Sequence, residues 1–442
     1  MTSIEQGCPQ KTARQTFFIS LGVFFEWYDF TLYFYLGTIL SSIFFKALPE
    51  HSSLFVTYAI FAVAYVCRPI GGIIFGRISD RMGRRHALLL AMKCMFIASL
   101  GIAILPSYSH IGVAASILLL IFRALQGVSI GGEYTGVLTL VFEKSRSKVA
   151  GKNLSMIGVI SCLGQITSTV CVFLLMHLTS QEFMLHFGWR ICFIVGSLGM
   201  AIVYYFQASV PESESFLSAK ASGTLKDKPI LFALKHHRLS ISLVFLLTGT
   251  LGISYILYFV SIPNALIQDY QYTKSTVHLI IVLATLLQTI SYPIGGYLSD
   301  KLNSTRILLF SFTFAMLTVY PCNFYMMHHF LSGGAFLYLG FVTMFSVTTP
   351  AFLLLINQKF PVYCRASGVF VGYNLSNALF CSVTPSVGIM FSGGVFSIEI
   401  ASGFLIIGLA FCLLALLLSQ ASTKRNIHCE EVQQTTMALS ES

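Results

Sequence analysis

Six ionisable side chains stand inside otherwise apolar stretches in the first half of the chain. They are Glu26, Asp29, Arg68, Lys93, Arg123 and Glu133. A charge inside a hydrocarbon environment is costly, so each of these residues is a candidate functional residue. The apolar stretches of the second half carry no Asp, Glu, Lys or Arg at equivalent depth, and Glu399 lies near the end of the last one. We therefore expect any proton chemistry in the first half.

Glu26 and Asp29 are three residues apart, so on a helix they lie on one face, and Tyr33 continues that face. Two carboxylates this close in a medium of low dielectric resist ionising together, which suits a group that takes up and releases a proton. We predict Asp29 as the proton carrier and Glu26 as a second proton-coupling residue. The alternative is that one or both are simply paired with cations.

A second polar stripe at helical spacing comprises Arg123, Gln126, Ile130 and Glu133. Arg123 and Glu133 are separated by about 15 Å along a helix that rises 1.5 Å per residue, so they cannot neutralise each other. A guanidinium stays charged and binds a carboxylate through two hydrogen bonds. We predict that Arg123 pairs with Asp29 or with a substrate carboxylate, and that Glu133 contributes to proton coupling.

One loop sequence occurs twice. GRISDRMGRR spans residues 76–85 and GYLSDKLNSTR spans residues 296–306, with Asp80 and Asp300 each four residues after a glycine and each followed by a cation. A carboxylate at a helix end can cap a neighbouring helix, so we interpret these loops as latches of a gate. The alternative is a basic turn that serves topology alone. The predicted gating residues are Gly76, Asp80, Arg81, Arg84 and Asp300.

The composition identifies the environment of these residues. The 442 residues are 55% hydrophobic and 10% charged, with a mean hydropathy of +0.78. Soluble domains carry about 25% charged residues, so the lipid bilayer is the natural solvent of this chain. The net charge of +10 does not indicate nucleic-acid binding, because the basic residues fall in short loops.

Enzyme chemistry is not indicated. We find no nucleophile–base arrangement, no metal-ligand spacing and no phosphate loop, so no cofactor is expected. The eleven cysteines are scattered, mostly within apolar stretches, and no C-x-x-C motif occurs. We interpret them as small apolar packing residues, without a disulfide framework.

A membrane span needs about 20 apolar residues, and twelve such stretches can be read along the chain. They cover residues 17–45, 53–78, 86–105, 112–140, 152–177, 189–210, 239–263, 276–298, 305–327, 334–357, 365–391 and 395–419. Inside lipid, helices satisfy their own backbone hydrogen bonds. The predicted fold is an all-α membrane protein with twelve transmembrane helices in two pseudo-symmetric six-helix bundles, the organisation of a major facilitator transporter.

The basic residues set the orientation. One set of loops holds 21 of the 27 Lys and Arg residues, which places that set in the cytoplasm together with both termini. The expected organisation is a cytoplasmic N-terminus, an N-terminal bundle, a cytoplasmic linker, a C-terminal bundle and a cytoplasmic tail, at residues 1–16, 17–210, 211–238, 239–419 and 420–442.

Several stretches together resemble the metabolite:proton symporters of the major facilitator superfamily. They are FFEWYDF (24–30), RPIGGIIFGRISDRMGRR (68–85), RALQGVSIGGEY (123–134), FGWRICF (187–193), PESESF (211–216), FPVYCRASG (360–368) and YNLSNALFCSVTP (373–385). The resemblance implies alternating access and proton symport. It also implies that Asp29 and Arg123 form the coupling pair and that Gly76, Asp80 and Arg81 form the loop latch.

This chain departs from the family pattern at several positions. Val23 stands where the family usually has Asn, Cys192 where it has Pro, and Tyr134 where Trp is common. In the second latch, the stretch Asn303-Ser-Thr stands where the family has Gly followed by two cations. We therefore expect the second latch to be the weaker one. These departures concern substrate identity rather than the fold.

The predicted function is proton-coupled uptake of a small polar metabolite across a bacterial inner membrane by a monomer. The solute is an organic acid such as 2-oxoglutarate or citrate, or a zwitterion such as proline or betaine. The predicted substrate-binding residues are Arg123, Tyr33, Gln126, Arg68, Tyr255 and Asn374. The expected partners are protons, the solute and the bilayer, with no nucleic acid. An uncoupled facilitator and a nutrient sensor that does not transport are the alternatives.

Overall fold

The computed structural model of the chain describes residues 9–268, 270–390 and 402–420. Most of the predicted cytoplasmic tail, the start of the N-terminal segment and the beginning of the predicted twelfth span, with Glu399, lie outside these ranges. Every regular element in the described ranges is helical. This confirms the predicted all-α fold.

Six long helices form the first half. They are α1 (Pro9–Tyr35), α2 (Glu50–Met82), α3 (Arg84–Ile104), α4 (Val113–Lys144), α5 (Ala150–Leu178) and α6 (Trp189–Gln207). Short segments connect them: Gly37–Phe44, Tyr108–Ile111, the 3-10 turn Ser147–Val149, Gln181–Phe183 and the π-helical turn Met184–Gly188. The first predicted span thus comprises α1 and the separate helix that follows it.

Six further long helices form the second half. They are α7 (Arg238–Ile256), α8 (Lys274–Lys301), α9 (Ser304–His328), α10 (Ala335–Gln358), α11 (Arg365–Met390) and α12 (Ser402–Gln420). A π-helical turn Leu257–Ser261 continues α7 into Ile262–Gln268, another, Phe330–Gly334, precedes α10, and the 3-10 turn Val362–Cys364 precedes α11. The linker between the halves contains two short helices, Glu214–Ala221 and Pro229–His236.

Ten helices of the described chain are long and apolar enough to cross a membrane, namely α2 to α10 and α12. Helices α1 and α11 have 27 and 26 residues, so they are as long as the others. Helix α1 packs against α5 and α6 of the first half, and α11 packs against α7 of the second half and α2 of the first. Helix α1 carries two buried carboxyl residues, Glu26 and Asp29. Lys93, which was expected inside the apolar interior, is instead exposed on α3, where its Nζ lies 5.4 Å from the ring centre of Tyr204.

Glycines allow α2 and α4 to pack backbone against backbone. A Cβ atom added at Gly127 would lie 2.1 Å from the carbonyl oxygen of Ala64, and one at Gly131 would lie 2.3 Å from that of Arg68. Small residues permit such close approach between membrane helices. The contact fixes the depth of Arg68 on α2 relative to Arg123 on α4.

The two halves meet through pseudo-equivalent helix pairs. Helix α2 of the first half packs against α11 of the second, and α5 of the first half packs against α8. These contacts close the molecule at the end where the basic loops lie, and leave a space between the halves nearer to the middle.

Candidate functional site

A cavity of about 160 Å³, which we call the central cavity, lies between the two halves. Helices α1, α2, α4 and α5 line it on one side, and α7, α8, α10 and α11 on the other. Much of its polar wall is tyrosine: Tyr65, Tyr134, Tyr255, Tyr258, Tyr292 and Tyr373. A cavity of about 150 Å³ holds one benzene molecule, so this space fits a solute of a few heavy atoms.

Arg68 is the one charged side chain among the described residues that line this cavity. It is only 5% exposed, and its guanidinium carbon lies 4.5 Å from the ring centre of Tyr65 and 5.6 Å from that of Phe30. Its Nε atom has no hydrogen-bond partner in the described chain. A buried guanidinium with free donors is suited to bind a carboxylate that enters the cavity.

A second cavity of about 240 Å³ adjoins the first and shares Trp27, Tyr65, Gln165 and Tyr255 with it. The Tyr255 hydroxyl donates a hydrogen bond to Gln165 Oε1 at 3.2 Å, which joins α7 to α5 across the boundary between the halves. The outer cavity, as we call this second space, extends past Tyr35 at the end of α1. It lies on the side of the central cavity away from the basic loops.

Asp29 is 2% exposed and sits in a hydrogen-bonded group within the first half. Its Oδ2 accepts hydrogen bonds from Ser99 Oγ at 2.5 Å and from Gln126 Nε2. Gln126 Oε1 in turn accepts from Arg123 Nη1 at 2.6 Å. Among the ion pairs of the described residues, none joins Asp29 to Arg123. The predicted pair is therefore linked through the Gln126 amide instead of by direct contact.

Arg123 is 1% exposed, and its guanidinium carbon lies 4.1 Å from the ring centre of Tyr33. The Tyr33 hydroxyl donates to the backbone oxygen of Thr57 on α2 at 3.3 Å. In the described chain, Arg123 Nε and Nη2 have no hydrogen-bond partner. A cation–π contact compensates the buried charge in part. Arg123, Tyr33 and Gln126 thus lie inside the first bundle, behind the wall of the central cavity.

Glu26 and Glu133 form a separate acidic region on the same helices. Glu133 is fully buried, and neither of its carboxyl oxygens has a hydrogen-bond partner in the described residues. Its Oε1 would lie 2.5 Å from a Cβ added at Gly22 of α1. Glu26 is within electrostatic reach of both Glu133 and Arg68. A neutral, proton-bearing carboxyl is the form that costs least at such an unpartnered site.

The first latch joins the halves at the end with the basic loops. Asp80 is fully buried and accepts hydrogen bonds from the backbone nitrogens of Ala366 at 3.3 Å and Ser367 at 2.8 Å, at the start of α11. A carboxylate at a helix N-terminus also interacts favourably with the helix dipole. A Cβ at Gly76 would lie 3.3 Å from Ser367 Cα, so glycine lets α2 approach α11 this closely.

Arg84 organises a buried charge network around this latch. Its Nη1 lies 3.0 Å from Asp80 Oδ1, and its Nη2 lies 3.1 Å from Glu143 Oε1. The same Glu143 oxygen accepts from Arg365 Nη1 of the second half at 2.8 Å. Arg84 Nη2 also donates to the backbone oxygen of Val362 at 2.6 Å. Removing one member would leave a buried charge without its partner, which is strongly destabilising.

The linker takes part in the same network. Glu212 Oε1 accepts hydrogen bonds from the backbone nitrogens of Arg84 at 3.1 Å and Ser213 at 2.9 Å. Ser213 Oγ donates to Glu143 Oε2 at 2.5 Å. Glu212 thus caps the N-terminus of α3. Ser213 connects the linker to the Glu143 carboxylate, which Arg84 and Arg365 share.

The second latch repeats the first on the other pair of helices. Asp300, at the end of α8, accepts from the backbone nitrogens of Gly151 at 2.6 Å and Lys152 at 2.9 Å, at the start of α5. Asn303 accepts from the backbone nitrogens of Thr305 and Arg306, so it caps α9. No Lys, Arg or His of the described chain forms an ion pair with Asp300.

Two other predicted site residues lie away from the cavity. Asn374 Nδ2 donates to the backbone oxygen of Gly131 at 2.8 Å, so it connects α11 to α4 at the contact between the halves. Arg81 is half-exposed and lies 4.0 Å from the exposed Asp227 of the linker. Sequence reasoning assigned no site role to Glu143, Glu212 or Arg365, although Glu212 and Arg365 stand in quoted motifs and Glu143 follows a long apolar stretch.

Comparison with known proteins identifies the family. The family model described as "Sugar (and other) transporter" matches residues 15–238. The chain belongs to this transporter family. Among its curated relatives, a proline/betaine transporter of Salmonella typhimurium is 28% identical over 83% of this chain and 75% of its own length. A citrate-proton symporter of Salmonella typhi is 26% identical over 84% of this chain and 85% of its own length.

Solved structures of other transporters share the fold of this family member. The major facilitator superfamily proton:xylose symporter XylE, bound to 6-bromo-6-deoxy-D-glucose, matches with a TM-score of 0.75 at 16% identity, over 92% of this chain and 95% of that one. The human organic anion transporter MFSD10 matches with a TM-score of 0.67 at 14% identity, over 93% of this chain and 100% of that one. The protein is therefore a multi-pass membrane transporter with the major facilitator fold, as predicted.

Proposed function

We propose that this transporter couples the entry of a small carboxylate-bearing solute to the entry of protons across a bacterial inner membrane. The observation that carries the proposal is the central cavity between the halves, with Arg68 as its one charged lining residue among those described. Relatives named as a proline/betaine transporter and a citrate-proton symporter support this chemistry.

The cavity favours a compact zwitterion over a tricarboxylate. One guanidinium matches one carboxylate, and the volume of about 160 Å³ suits a solute of a few heavy atoms. The tyrosine-rich wall can face an ammonium group through cation–π contacts. Proline or betaine is therefore the proposed class of solute, with 2-oxoglutarate and citrate as the organic acids to compare.

The proton site is assigned to Asp29, with Glu26 and Glu133 as further proton-coupling residues. Asp29 is buried beside Gln126 and Ser99, and Trp27, two residues before it on the same helix, lines the central cavity. A proton on Asp29 removes a buried negative charge, and bound solute occupies Arg68. A ligand moves such an equilibrium only through different affinities for the two states, so both events together must favour the change of state.

The contacts between the halves support the proposed gating role of Gly76, Asp80, Arg84 and Asp300, and Arg81 belongs to the same loop as Asp80. Both latches bind backbone N–H groups of the opposite half at the end with the basic loops. From the positive-inside rule we propose that this end, with both termini, lies in the cytoplasm. The conformation is then closed to the cytoplasm, and transport requires both latches to release.

Uptake by the purified full chain in proteoliposomes tests the proposal. Labelled proline, betaine, citrate and 2-oxoglutarate are supplied outside, with the outer solution made acidic. We expect accumulation of proline or betaine above the outer concentration, and its loss when a protonophore collapses the gradient. Downhill uptake that ignores the gradient would identify an uncoupled facilitator. Binding without uptake of any solute would favour the nutrient sensor.

A further inference from the structure

Two thiols meet in the first half of the transporter, away from the cavity. Cys171 of α5 and Cys192 of α6 have their sulfur atoms 3.9 Å apart, and both are free cysteines. The scattered sequence positions predicted isolated packing residues. The structure instead places these two thiols side by side, on neighbouring helices.

The pair lies near the end of the bundle opposite the basic loops. Cys171 stands seven residues before the end of α5 at Leu178, which is about 10 Å at 1.5 Å per residue. Cys192 stands three residues after the start of α6 at Trp189. Cys171 is half-buried whereas Cys192 is buried. The Cys171 thiol is therefore the more accessible of the two to an oxidant.

We propose that Cys171 and Cys192 are a redox modification site that forms an intramolecular disulfide by exchange with an external disulfide compound. The Cys171 thiolate attacks one sulfur of that compound, forms a mixed disulfide and releases one thiolate. The Cys192 thiolate then attacks the Cys171 sulfur and releases the second. The two thiol protons end on the two released thiols, so the chain loses two electrons and the external disulfide gains them.

The disulfide would act on the region of Asp29 through Tyr28. The Tyr28 hydroxyl lies 3.2 Å from the backbone oxygen of Cys192 and 3.4 Å from Cys171 Sγ. One turn beyond Cys192, a Cβ at Gly196 would lie 3.1 Å from the Tyr28 ring and 3.6 Å from Asp29 Oδ1. A disulfide brings its sulfurs to about 2.05 Å, so the two sulfur atoms, now 3.9 Å apart, must approach each other beside the Tyr28 hydroxyl.

The consequence for uptake rests on the proposed function, whereas disulfide formation does not. The experiment treats the full chain in membranes with dithiodipyridine, blocks remaining thiols and identifies linked peptides by mass spectrometry. Cys94 on α3 is the matched control, because it is half-buried and has no second thiol in sulfur contact in the described chain. We expect a linked Cys171–Cys192 peptide, and a mixed disulfide that persists on Cys94.

Uptake is measured on the same membranes before oxidation, after it and after reduction with dithiothreitol. We expect at least a twofold slower rate after oxidation that reduction reverses, and no linked peptide or reversible slowing in Cys171→Ser or Cys192→Ala. A persistent mixed disulfide on Cys171, or no reaction there, would overturn the assignment of the pair. A linked peptide with an unchanged rate would overturn its connection to Asp29.

Discussion

Asp29 and Arg123 are joined through one amide side chain and not by direct contact. The Nε2 of Gln126 donates to Asp29 Oδ2 while its Oε1 accepts from Arg123 Nη1 at 2.6 Å. Gln126 therefore separates the carboxylate from the guanidinium and still connects the two electrostatically. A proton can bind Asp29 without breaking an ion pair, because Arg123 keeps its contacts with Gln126 and with the Tyr33 ring.

Replacing Asp29 with Asn removes the proposed proton carrier while keeping its size. We expect Asp29→Asn to lose accumulation driven by a pH gradient, because the proposed proton carrier then no longer changes charge during the cycle. Exchange of labelled for unlabelled solute should continue, since exchange needs no net proton movement. The control is Asp227→Asn, whose side chain is 99% exposed. Accumulation that persists in Asp29→Asn would remove Asp29 from the coupling mechanism.

Replacing Gln126 with Ala tests the amide link. The ionised form of Asp29 loses the N–H donor of Gln126, so it becomes less stable relative to the protonated form. Arg123 loses its acceptor at the same time. We expect the pH at which uptake declines to move upward, and the maximal rate to fall about tenfold because proton release slows, which corresponds to about 1.4 kcal/mol. The measurement is initial uptake rate against outer pH.

The control for this link is Gln181→Ala, an exposed glutamine outside the site. A Gln126→Ala protein with the wild-type pH profile and a lower rate would show that Gln126 supports the bundle without influencing Asp29.

The sequence predicted the helices and the region of the buried charges but not their partners. Helical spacing placed Arg123 and Gln126 on one face, which is correct, because residues on one helix have fixed relative positions. It could not show that the Gln126 side chain would reach Asp29 first, since that depends on the separation and rotation of α1 and α4. Asn374 illustrates the same limit, because it contacts the Gly131 backbone rather than the cavity.

The gate shows a second limit of sequence reasoning. The repeat of Gly and Asp at equal spacing identified Asp80 and Asp300, and both bind backbone N–H groups of the other half. Arg365 was counted only among the basic residues that set the topology, and Glu143 was missed because a charge at a helix end is ordinary in a membrane protein. Their pairing joins residues more than 200 positions apart, at 2.8 Å, and no local pattern records such a contact.

Arg68 should determine how tightly the carboxylate of the solute binds. A hydrogen bond to a charged group contributes about 1.5–3 kcal/mol, so we expect Arg68→Ala to raise the KM at least tenfold for a carboxylate-bearing solute. Arg68→Lys should raise it less, because it keeps the charge but not the forked geometry. The measurement is uptake rate against solute concentration. Arg77→Ala on the exposed face of the same helix is the control. If Arg68→Ala had the same KM as Arg77→Ala, Arg68 would not bind the carboxylate of the solute.

Glu143 should hold the halves closed at the end with the basic loops. Glu143→Gln leaves Arg84 and Arg365 without their shared carboxylate, and breaking a buried pair costs about 3–5 kcal/mol. Cys364 reports the opening, because it is fully buried beside Arg365 and burial raises the pKa of its thiol to about 12. We expect maleimide to label Cys364 slowly in the wild type at neutral pH and at least tenfold faster in Glu143→Gln.

Labelling at Cys364 is quantified by peptide mass spectrometry, which separates it from the other cysteines. The control is Glu214→Gln, an exposed carboxylate on the linker helix. Equal labelling rates in Glu143→Gln and Glu214→Gln would mean that the latches close the gate without the shared carboxylate.

The two latches should contribute unequally to closure. Asp80 is fully buried, binds two backbone N–H groups and pairs with Arg84 at 3.0 Å, whereas Asp300 has the two N–H groups without such an arginine. We therefore expect Asp80→Asn to accelerate Cys364 labelling more than tenfold, because it also removes the charge that pairs with Arg84. Asp300→Asn should accelerate labelling only a few-fold, since the new Asn side chain can still accept one of the two backbone hydrogen bonds. Glu182→Gln, an exposed carboxylate at the opposite end of the bundle, sets the baseline. A larger effect at Asp300 would mean that the α5–α8 contact, rather than the Arg84 network, limits opening.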